Sequence, residues 1–394
     1  MRASSAYFYI GTITEVVDEF VESVDRHRNL DGEVKDLVEL LDLWSFESIA
    51  SIFIDKRYGL LDDDISKDSD GRIIFDYISK YLRGTSILQL FLFTQMIQTP
   101  LFNLLPPIVE NANAPGLRGK LFKTILPGAL NSPVYRIFFS NFKESLNRIQ
   151  QQKTFREAHS NVTQVFDKDI PAPAEEDMEK SIVERLAEKY GFDSEVPAII
   201  GTEAVLGGFD TTSATLSFLL YHLATNQTKQ TKLYEEVVGV VGKTEELKKS
   251  HLNHLKYAKA CLYESQRMDK WSGIGPIMRR NQKDVVLSGY MVPAGKWIIV
   301  IPQEDSIDQK FIPERWIRGN SEYIGDKISS FSNLPFGYGP RMCIGRRFAE
   351  LEIYILLVRL LQRFKIEYHH EPIGQRTGII LKPDRALKLK FIDR

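Results

Sequence analysis

Cysteine is nearly absent from this sequence, since Cys261 and Cys343 are its only two among 394 residues. A disulfide framework of the kind that holds small secreted domains together needs more cysteines than that. The scarcity therefore favours a reducing compartment, and it leaves each of the two thiols to be explained by its own surroundings.

Long apolar runs are absent as well. No stretch approaches the roughly 18–20 apolar residues that a membrane-spanning helix requires. The beginning of the chain carries one arginine and several hydroxyl side chains, but Glu15, Asp18 and Glu19 follow closely. Because transit peptides are rich in arginine and poor in acids, no targeting segment is visible in this sequence.

An excess of charge of either sign is also missing, since 51 lysines and arginines stand against 52 aspartates and glutamates. A chain without a basic surplus has no general attraction to nucleic acid, and no nucleic-acid partner is predicted. No Gly-x-Gly-x-x-Gly motif follows a predicted strand, so neither a flavin nor a nicotinamide site is expected. With 43% hydrophobic residues, the composition is that of an ordinary globular protein.

What the sequence does contain is an unusual setting for Cys343, in the stretch from Leu334 to Glu350, LPFGYGPRMCIGRRFAE. Gly337, Gly339 and Pro340 favour tight backbone turns just before the cysteine. Apolar residues at helical spacing then predict a buried helix directly after it, at Phe348, Leu351, Ile355, Val358 and Leu361. A thiolate beside a helix N-terminus is stabilised and suited to act as a metal ligand or as a nucleophile. The alternative is a buried structural cysteine, the commoner role of a lone thiol.

The string FGYGPRMCIG resembles the haem-binding loop of the cytochrome P-450 family, which reads Phe, Gly, any, Gly, any, Arg, any, Cys, any, Gly. Every fixed position is matched, at Phe336, Gly337, Gly339, Arg341, Cys343 and Gly345. The resemblance implies haem b (iron protoporphyrin IX) as cofactor, with Cys343 as the axial thiolate on its iron and Arg341 on a haem propionate. Thiolate ligation pushes electron density to the iron and favours O–O cleavage.

The resemblance implies a mainly α fold with small β-sheets beside a helical haem-binding core, in a single domain over residues 1–394. Hydrophobic spacing and turn residues predict helices near 13–24, 32–53, 72–96, 135–152, 194–224, 229–241 and 254–268, and a small sheet with a hairpin after Val285. Relatives begin with a membrane or transit segment, a first sheet and a haem-gripping helix, none of which appears before Ile13. The chain is therefore expected to lack the family's N-terminal part.

One stretch has no expected counterpart of this length in the family. Residues 103–131 are dense in proline, glycine and asparagine and cannot form one continuous helix. We interpret them either as an insertion that affects substrate access or as an artefact of the gene model.

The long central helix contains the string GGFDTTS from Gly207 to Ser213. Taken alone, it predicts a kink, with Thr211 or Thr212 bonding back to a carbonyl one turn earlier. It also resembles the oxygen-activation segment of the family. By that resemblance Gly207 and Gly208 let haem and dioxygen approach the backbone, and Asp210 and Thr211 are the catalytic pair that relays protons to iron-bound oxygen.

The string ESQR places Glu264 and Arg267 three residues apart, on one helix face. Taken alone this is an ordinary surface ion pair of little energetic weight. It also resembles the family's Glu-x-x-Arg, and FIPERW supplies Arg315 as the further arginine. The resemblance therefore predicts a buried structural triad, and Cys261, one turn before Glu264, is expected to be core packing.

Several further cations take their roles from the same resemblance. Arg279 stands where the family places a second propionate-binding arginine. Arg346 and Arg347 follow the cysteine and, with Lys259, match cations that dock an acidic ferredoxin in the mitochondrial branch. Tyr263 replaces a second docking lysine of that branch. On their own, such cations are typical of any solvated face.

The predicted function is a haem-thiolate monooxygenase that uses dioxygen and two electrons from a separate ferredoxin to hydroxylate a small lipophilic, steroid-like substrate. The predicted location is the matrix side of the mitochondrial inner membrane, with peripheral membrane association. Alternatives are a microsomal-type enzyme of the endoplasmic reticulum, a truncated non-catalytic homologue that binds haem poorly, and a haem enzyme without oxygen activation. Asp210 and Thr211 argue against the last of these.

Overall fold

A computed structural model describes residues 6–79, 140, 144, 147, 181–191, 196–269, 277–300, 310–323, 333–339, 342–376 and 380–394. Arg341, the stretch 103–131 and most of the helices predicted over 72–96 and 135–152 lie outside the described residues. The chain divides into two compact units. Unit 1 comprises residues 1–26, 42–210 and 347–356, and unit 2 comprises residues 27–41, 211–346 and 357–394.

Helices make up most of the described chain. Those with both ends described are α1 Ile10–His27, α2 Leu37–Phe53, α3 Ile182–Tyr190, α4 Val196–Thr225, α5 Gln227–Val240, α6 Lys256–Met268 and α7 Arg346–Arg363. Short 3₁₀ turns lie at His251–Asn253 and Pro313–Trp316. None of the described helices combines the length and the apolar character needed to cross a membrane.

The strands are short, and every pairing among them is antiparallel. They are β1 Glu33–Val34, β2 Ile277–Arg280, β3 Val285–Leu287, β4 Tyr290–Val292, β5 Trp297–Val300, β6 Phe364–Glu367, β7 Gln375–Arg376, β8 Lys382–Pro383 and β9 Leu389–Asp393. One sheet has the order β1-β9-β6, and β2-β5, β3-β4 and β7-β8 form two-stranded pairs. The observed fold is thus mainly α with small β-sheets, as predicted.

The helix predicted from residue 32 begins later, at Leu37, and this part of the prediction is wrong. The preceding Glu33 and Val34 form β1 and pair with β9. Gly32 has φ +82°, and a Cβ there would lie 2.7 Å from the Phe391 carbonyl oxygen. A right-handed helix could not begin at Gly32, because the positive φ of this residue belongs to the turn that leads into the sheet.

The core of unit 1 is aromatic. The Phe46 ring meets the rings of Phe75 and Phe209 edge-on, at 5.7 Å between centroids in both cases. Trp44 is fully buried beside Phe20. Edge-on packing of this kind adds about 0.5–1.5 kcal/mol per pair beyond area burial, so these contacts fix how α1, α2 and the first half of α4 pack.

The core of unit 2 joins α5 to the sheet through one side chain. The Gln230 amide donates to the Ile366 carbonyl (2.7 Å) and accepts from the Ile366 N–H (2.9 Å). The Gln230 side chain makes the two hydrogen bonds that the backbone of a neighbouring strand would otherwise make. The buried N–H and carbonyl of Ile366 in β6 therefore both have partners.

Candidate functional site

The loop before Cys343 is held by its own backbone. The Cys343 N–H donates to the Phe336 carbonyl at 2.8 Å, and the Gly337 N–H donates to the Leu334 carbonyl at 2.9 Å. Gly337 and Gly339 have φ +71° and +78°, in the left-handed region that residues with side chains rarely adopt. The two glycines are therefore required by the turns, as the sequence predicts, and the turns place the cysteine.

Cys343 itself is half-buried. Gly345 has an ordinary φ of −83°, and a Cβ there would lie 3.9 Å from the Cys343 Sγ. The absence of that Cβ leaves space beside the sulfur. Large apolar side chains of the same loop are exposed, at Leu334, Tyr338, Met342 and Ile344. A half-buried cysteine among exposed apolar side chains fits the edge of a haem pocket, because a porphyrin is a flat apolar group.

Helix α7 begins three residues after Cys343, with Gly345 at its N-cap. All five apolar positions predicted to face the core along this helix are buried, at Phe348, Leu351, Ile355, Val358 and Leu361. The Arg346 guanidinium lies 5.3 Å from the centre of the Phe336 ring. This contact joins the first residue of α7 to the start of the cysteine loop. Arg347 is exposed to solvent.

The predicted catalytic pair lies in the middle of α4, which is continuous from Val196 to Thr225. Asp210 and Thr211 are both half-buried. A back-bond of the predicted kind lies one turn further along the helix, where the Thr215 hydroxyl donates to the Thr211 carbonyl at 2.9 Å. The pair thus sits at a position where α4 is partly accessible.

The two glycines before this pair differ in their surroundings. A Cβ at Gly208 would lie 2.7 Å from Ile49 Cγ1, whereas no described atom lies within 4 Å of a Cβ at Gly207. Gly208 is therefore explained by the close packing of α4 on α2. Only Gly207 has the open surroundings expected of a backbone that a ligand approaches.

The structure brings Glu264, Arg267 and Arg315 together. Arg267 donates from Nε and Nη2 to the two Glu264 carboxylate oxygens, each at 3.0 Å. Arg315 Nε lies 3.3 Å from Glu264 Oε1, a contact between charges rather than a hydrogen bond. All three side chains are buried. Removing any one of them would leave a buried charge short of its partner.

Sequence reasoning missed two further donors to this carboxylate. The Trp316 indole N–H donates to Glu264 Oε2 at 2.9 Å, and the Ile312 N–H donates to Oε1 at 3.1 Å. Trp316 directly follows Arg315 in FIPERW. That adjacency is the sequence feature from which its contact with Glu264 could have been predicted. Tyr263, which replaces a docking lysine of the mitochondrial branch, packs edge-on against Trp316.

The remaining predicted cations are dispersed. Arg279 is exposed on β2, where it pairs in register with Ile298. Lys259 is half-buried on α6. Asn333, at the start of the cysteine loop, donates to the Tyr263 carbonyl at 3.4 Å. This bond links the loop to the helix that carries Lys259.

Several buried acids were not predicted, among them Glu47, Asp269 and Glu352. Glu47 accepts from Arg57 and from the N–H groups of Tyr58 and Leu60, and it thereby holds the chain that leaves α2. Asp269 Oδ2 lies 2.6 Å from Nε2 of the buried His222. Glu352 accepts from the Ser48 hydroxyl at 2.6 Å. Burial raises the pKa of Glu352 to about 8, although the bond from Ser48 opposes that rise.

Comparisons with known proteins agree with the loop geometry. A family profile described as Cytochrome P-450 matches residues 120–391. A probable cytochrome P-450 12a5, mitochondrial, of Drosophila melanogaster is 28% identical over 415 residues, covering 100% of this chain and 69% of the relative. A probable cytochrome P-450 12e1, mitochondrial, of the same organism is 34% identical over 271 residues, covering 64% and 51%.

A third relative has a named reaction. The 1,25-dihydroxyvitamin D(3) 24-hydroxylase, mitochondrial, of Rattus norvegicus is 28% identical over 390 residues, covering 97% of this chain and 65% of the relative. The chain thus spans between 51% and 69% of the length of these three relatives.

Proposed function

Because the chain belongs to the cytochrome P-450 family, we propose that it is a haem-thiolate monooxygenase that inserts one atom of dioxygen into a lipophilic substrate. The family match covers more than half of the chain, and it confirms the family predicted from the loop around Cys343. Cytochromes P-450 are monooxygenases, oxidoreductases that incorporate molecular oxygen, and they bind haem b through a cysteine thiolate.

The observation that carries the proposal is the half-buried thiol of Cys343 in its glycine-shaped loop, with the space beside Sγ kept open at Gly345. Cys343 would hold the haem iron, Phe336 would pack beside the group, and Arg341 and Arg279 would bind the propionates. When bound, haem supplies the iron centre at which dioxygen is activated. Two electrons and two protons reduce the second oxygen atom to water.

Asp210 and Thr211 are the residues of this chain that would deliver protons. A half-buried carboxylate and hydroxyl on adjacent residues can hold a proton and pass it on to a bound ligand. Gly207 supports this role, because no described atom occupies the space where its Cβ would be. The buried triad of Glu264, Arg267 and Arg315 would hold α6 and the Pro313–Trp316 turn in place.

The electron donor would be an acidic ferredoxin of the mitochondrial matrix, at the inner membrane. The relatives named mitochondrial support this location. The exposed Arg347, with Arg346 and Lys259, offers cations that an acidic partner can meet, and such charges act mainly on the rate of association. A steroid-like substrate is suggested by the name of the rat relative. A microsomal-type enzyme remains the alternative.

The absorbance spectrum of the reduced, carbon monoxide-bound protein tests the proposal. We expect a strongly red-shifted Soret band that vanishes in Cys343→Ala, because the alanine variant has no thiolate. The second cysteine provides the matched control, since Cys261 is fully buried and Cys261→Ala should keep the band. A band that survives in Cys343→Ala would refute the assignment of the ligand.

The role of the pair on α4 has its own test. Thr211→Ala should keep the Soret band while a larger share of the consumed oxygen is lost as peroxide or water. The matched control is Thr231→Ala, because this threonine lies exposed on another helix, α5, where its hydroxyl donates to the Gln227 carbonyl. Product yield per oxygen consumed that equals the wild-type value would contradict proton relay through Thr211.

A non-catalytic homologue that binds haem poorly is the rival candidate, and it would leave the apolar surface around Cys343 uncovered. The apolar side chains of the cysteine loop, Tyr338 and Ile344 among them, are largely exposed, and exposed apolar surface of this kind needs a cover. If the purified chain shows no Soret band even when haem is supplied, the rival is correct and the monooxygenase proposal fails.

A further inference from the structure

A buried acid joins the first two turns of α7 to α2. The Ser48 hydroxyl of α2 donates to a carboxyl oxygen of Glu352 in α7 at 2.6 Å, and both side chains are buried. An ionised carboxylate in the interior is costly unless a cation or several donors surround it. Ser48 supplies one neutral hydroxyl, so the closed contact favours the protonated form of the acid.

An aromatic contact lies on the same face of α7. Phe348 precedes Glu352 by four residues, and residues at that spacing are neighbours on a helix surface. The Phe348 ring meets the Phe53 ring of α2 edge-on at 5.4 Å, and the Tyr9 ring at 6.0 Å, between ring centres. An apolar cluster and one neutral acid thus hold this face on its neighbours. Because α7 begins three residues after Cys343, the same face holds the start of the helix that follows the cysteine loop.

No charged side chain among the described residues offsets the burial of Glu352. Burial raises its pKa to about 8, and the Ser48 hydroxyl opposes that rise. The neighbouring acid of α2, Glu47, accepts from Arg57 instead. The Tyr9 hydroxyl accepts from a backbone N–H at the start of α3. The protonation of Glu352 is therefore governed by whether the contact between α7 and α2 is closed to water.

Opening of this contact is coupled to the release of a proton. In water the Glu352 carboxyl group returns to its ordinary pKa of 4.5. Between that value and a pH of about 8, the closed contact holds a proton that the opened one loses. Each unit of rising pH in this range therefore favours the opened state about tenfold. The contact is most stable below pH 4.5, and above pH 8 the effect levels off.

We propose that Glu352 is a proton-controlled joint, at which the start of α7 opens locally from α2 when the carboxyl group loses its proton. Native proteins open in parts of this kind, at a lower cost in free energy than global unfolding. The rings of Phe348 and Phe53 separate in the same event, and their contact limits how often it occurs. A rise in pH thereby loosens the helix that begins beside Cys343. The joint depends on neither haem nor monooxygenase activity, because its contacts lie within the chain.

Hydrogen exchange of the backbone amides, measured on the full chain at several pH values between 5 and 8, tests the proposal. After division by the intrinsic exchange rate, the rates of amides in α2 and in the first turns of α7 should rise about tenfold per pH unit. Glu352→Gln should remove this slope, because glutamine does not titrate. Ser48→Ala is the matched control, since it removes the hydroxyl partner and keeps the acid, and it should keep the slope.

Helix α5 provides the comparison within the same molecule, because it is joined to the sheet through Gln230. Those of its amides that exchange faster than global unfolding should show no such slope. An equal slope in these amides would mean that the whole molecule opens, and the local joint would be refuted. The proposal also fails if wild-type α2 and α7 show no slope, or if Glu352→Gln keeps it. The wild-type comparison of α7 with α5 decides the matter even if a variant does not fold.

Discussion

Glu264 in unit 2 and Glu352 in unit 1 are both buried carboxyl groups, exposed by 0% and 1%, yet their surroundings are opposite. Glu264 meets two arginines, an indole N–H and a backbone N–H. Glu352 accepts a hydrogen bond from the neutral Ser48 hydroxyl. The first site neutralises an ionised carboxylate by charge and hydrogen bonds. The second keeps its acid protonated, with a pKa raised to about 8 by burial.

The difference shows that burial alone does not determine how an acidic residue affects stability. A buried carboxylate surrounded by donors holds the chain segments that carry those donors together. Loss of one charged partner leaves an uncompensated buried charge and strongly destabilises the fold. A buried acid that meets a neutral hydroxyl instead makes stability depend on pH, because its protonated form is the one compatible with the interior. Three variants separate these two situations.

The largest effect is expected for Glu264→Ala. This change leaves Arg267 and Arg315 buried without their shared carboxylate, and it should lower the free energy of unfolding by about 3–5 kcal/mol. Denaturant unfolding followed by circular dichroism measures the loss. The control is Glu246→Ala, which removes an exposed glutamate and should change stability by less than about 0.5 kcal/mol. Equal effects of the two variants would show that the Glu264 network contributes nothing to the free energy of unfolding.

An effect that is intermediate in the middle of a defined pH window is expected for Glu352→Gln. The unfolded glutamate ionises near 4.5 and the folded one has a pKa of about 8, so the folded state binds the extra proton between these values. Wild-type stability should therefore contain a contribution that is full below pH 4.5 and falls as pH rises towards 8. Since glutamine does not titrate, its stability relative to wild type should rise by about 1.4 kcal/mol per pH unit across that window.

Unfolding curves at several pH values between 4.5 and 8 measure that slope. Ser48→Ala is the matched control, because it removes the hydroxyl partner and leaves the titrating group in place. The control should therefore keep the wild-type slope. A Glu352→Gln variant whose stability runs parallel to wild type at every pH would mean that Glu352 does not titrate in this window.

The smallest effect is expected for Trp316→Phe. The phenyl ring keeps most of the packing against Tyr263, but it cannot donate to Glu264 Oε2. A hydrogen bond to a charged group contributes about 1.5–3 kcal/mol, and the loss should lie at the low end, since the contacts from Arg267, Arg315 and the Ile312 N–H remain. Thermal unfolding measures it. Combining this change with Glu264→Ala should add little, because the indole then has no acceptor, and full additivity would refute the bond.

Sequence predicted those features of the molecule that depend on neighbouring residues. The turns before Cys343 follow from Gly337 and Gly339, whose positive φ values a local string can signal. The ion pair of Glu264 and Arg267 follows from three-residue spacing on a helix. The burial of α7 likewise follows from its apolar positions.

What could not be predicted depends on segments far apart in the chain. Glu352 and Ser48 are separated by 304 positions, and neither local string signals the other. Gly208 is explained only by Ile49 on another helix. The late start of α2 results from pairing with β9, which a helical pattern alone cannot reveal. The roles of Arg279, Asp210 and Thr211 toward haem remain predictions.

The pairing of β1 with β9 also has a consequence for how the protein is made. Val34 and Leu389 are partners although they lie near opposite ends of the chain. Closing so long a loop is entropically costly, and pairings of this range form late and slow folding. During synthesis, β1 therefore leaves the ribosome long before its partner exists, and its unpaired edge must be kept from other strands meanwhile.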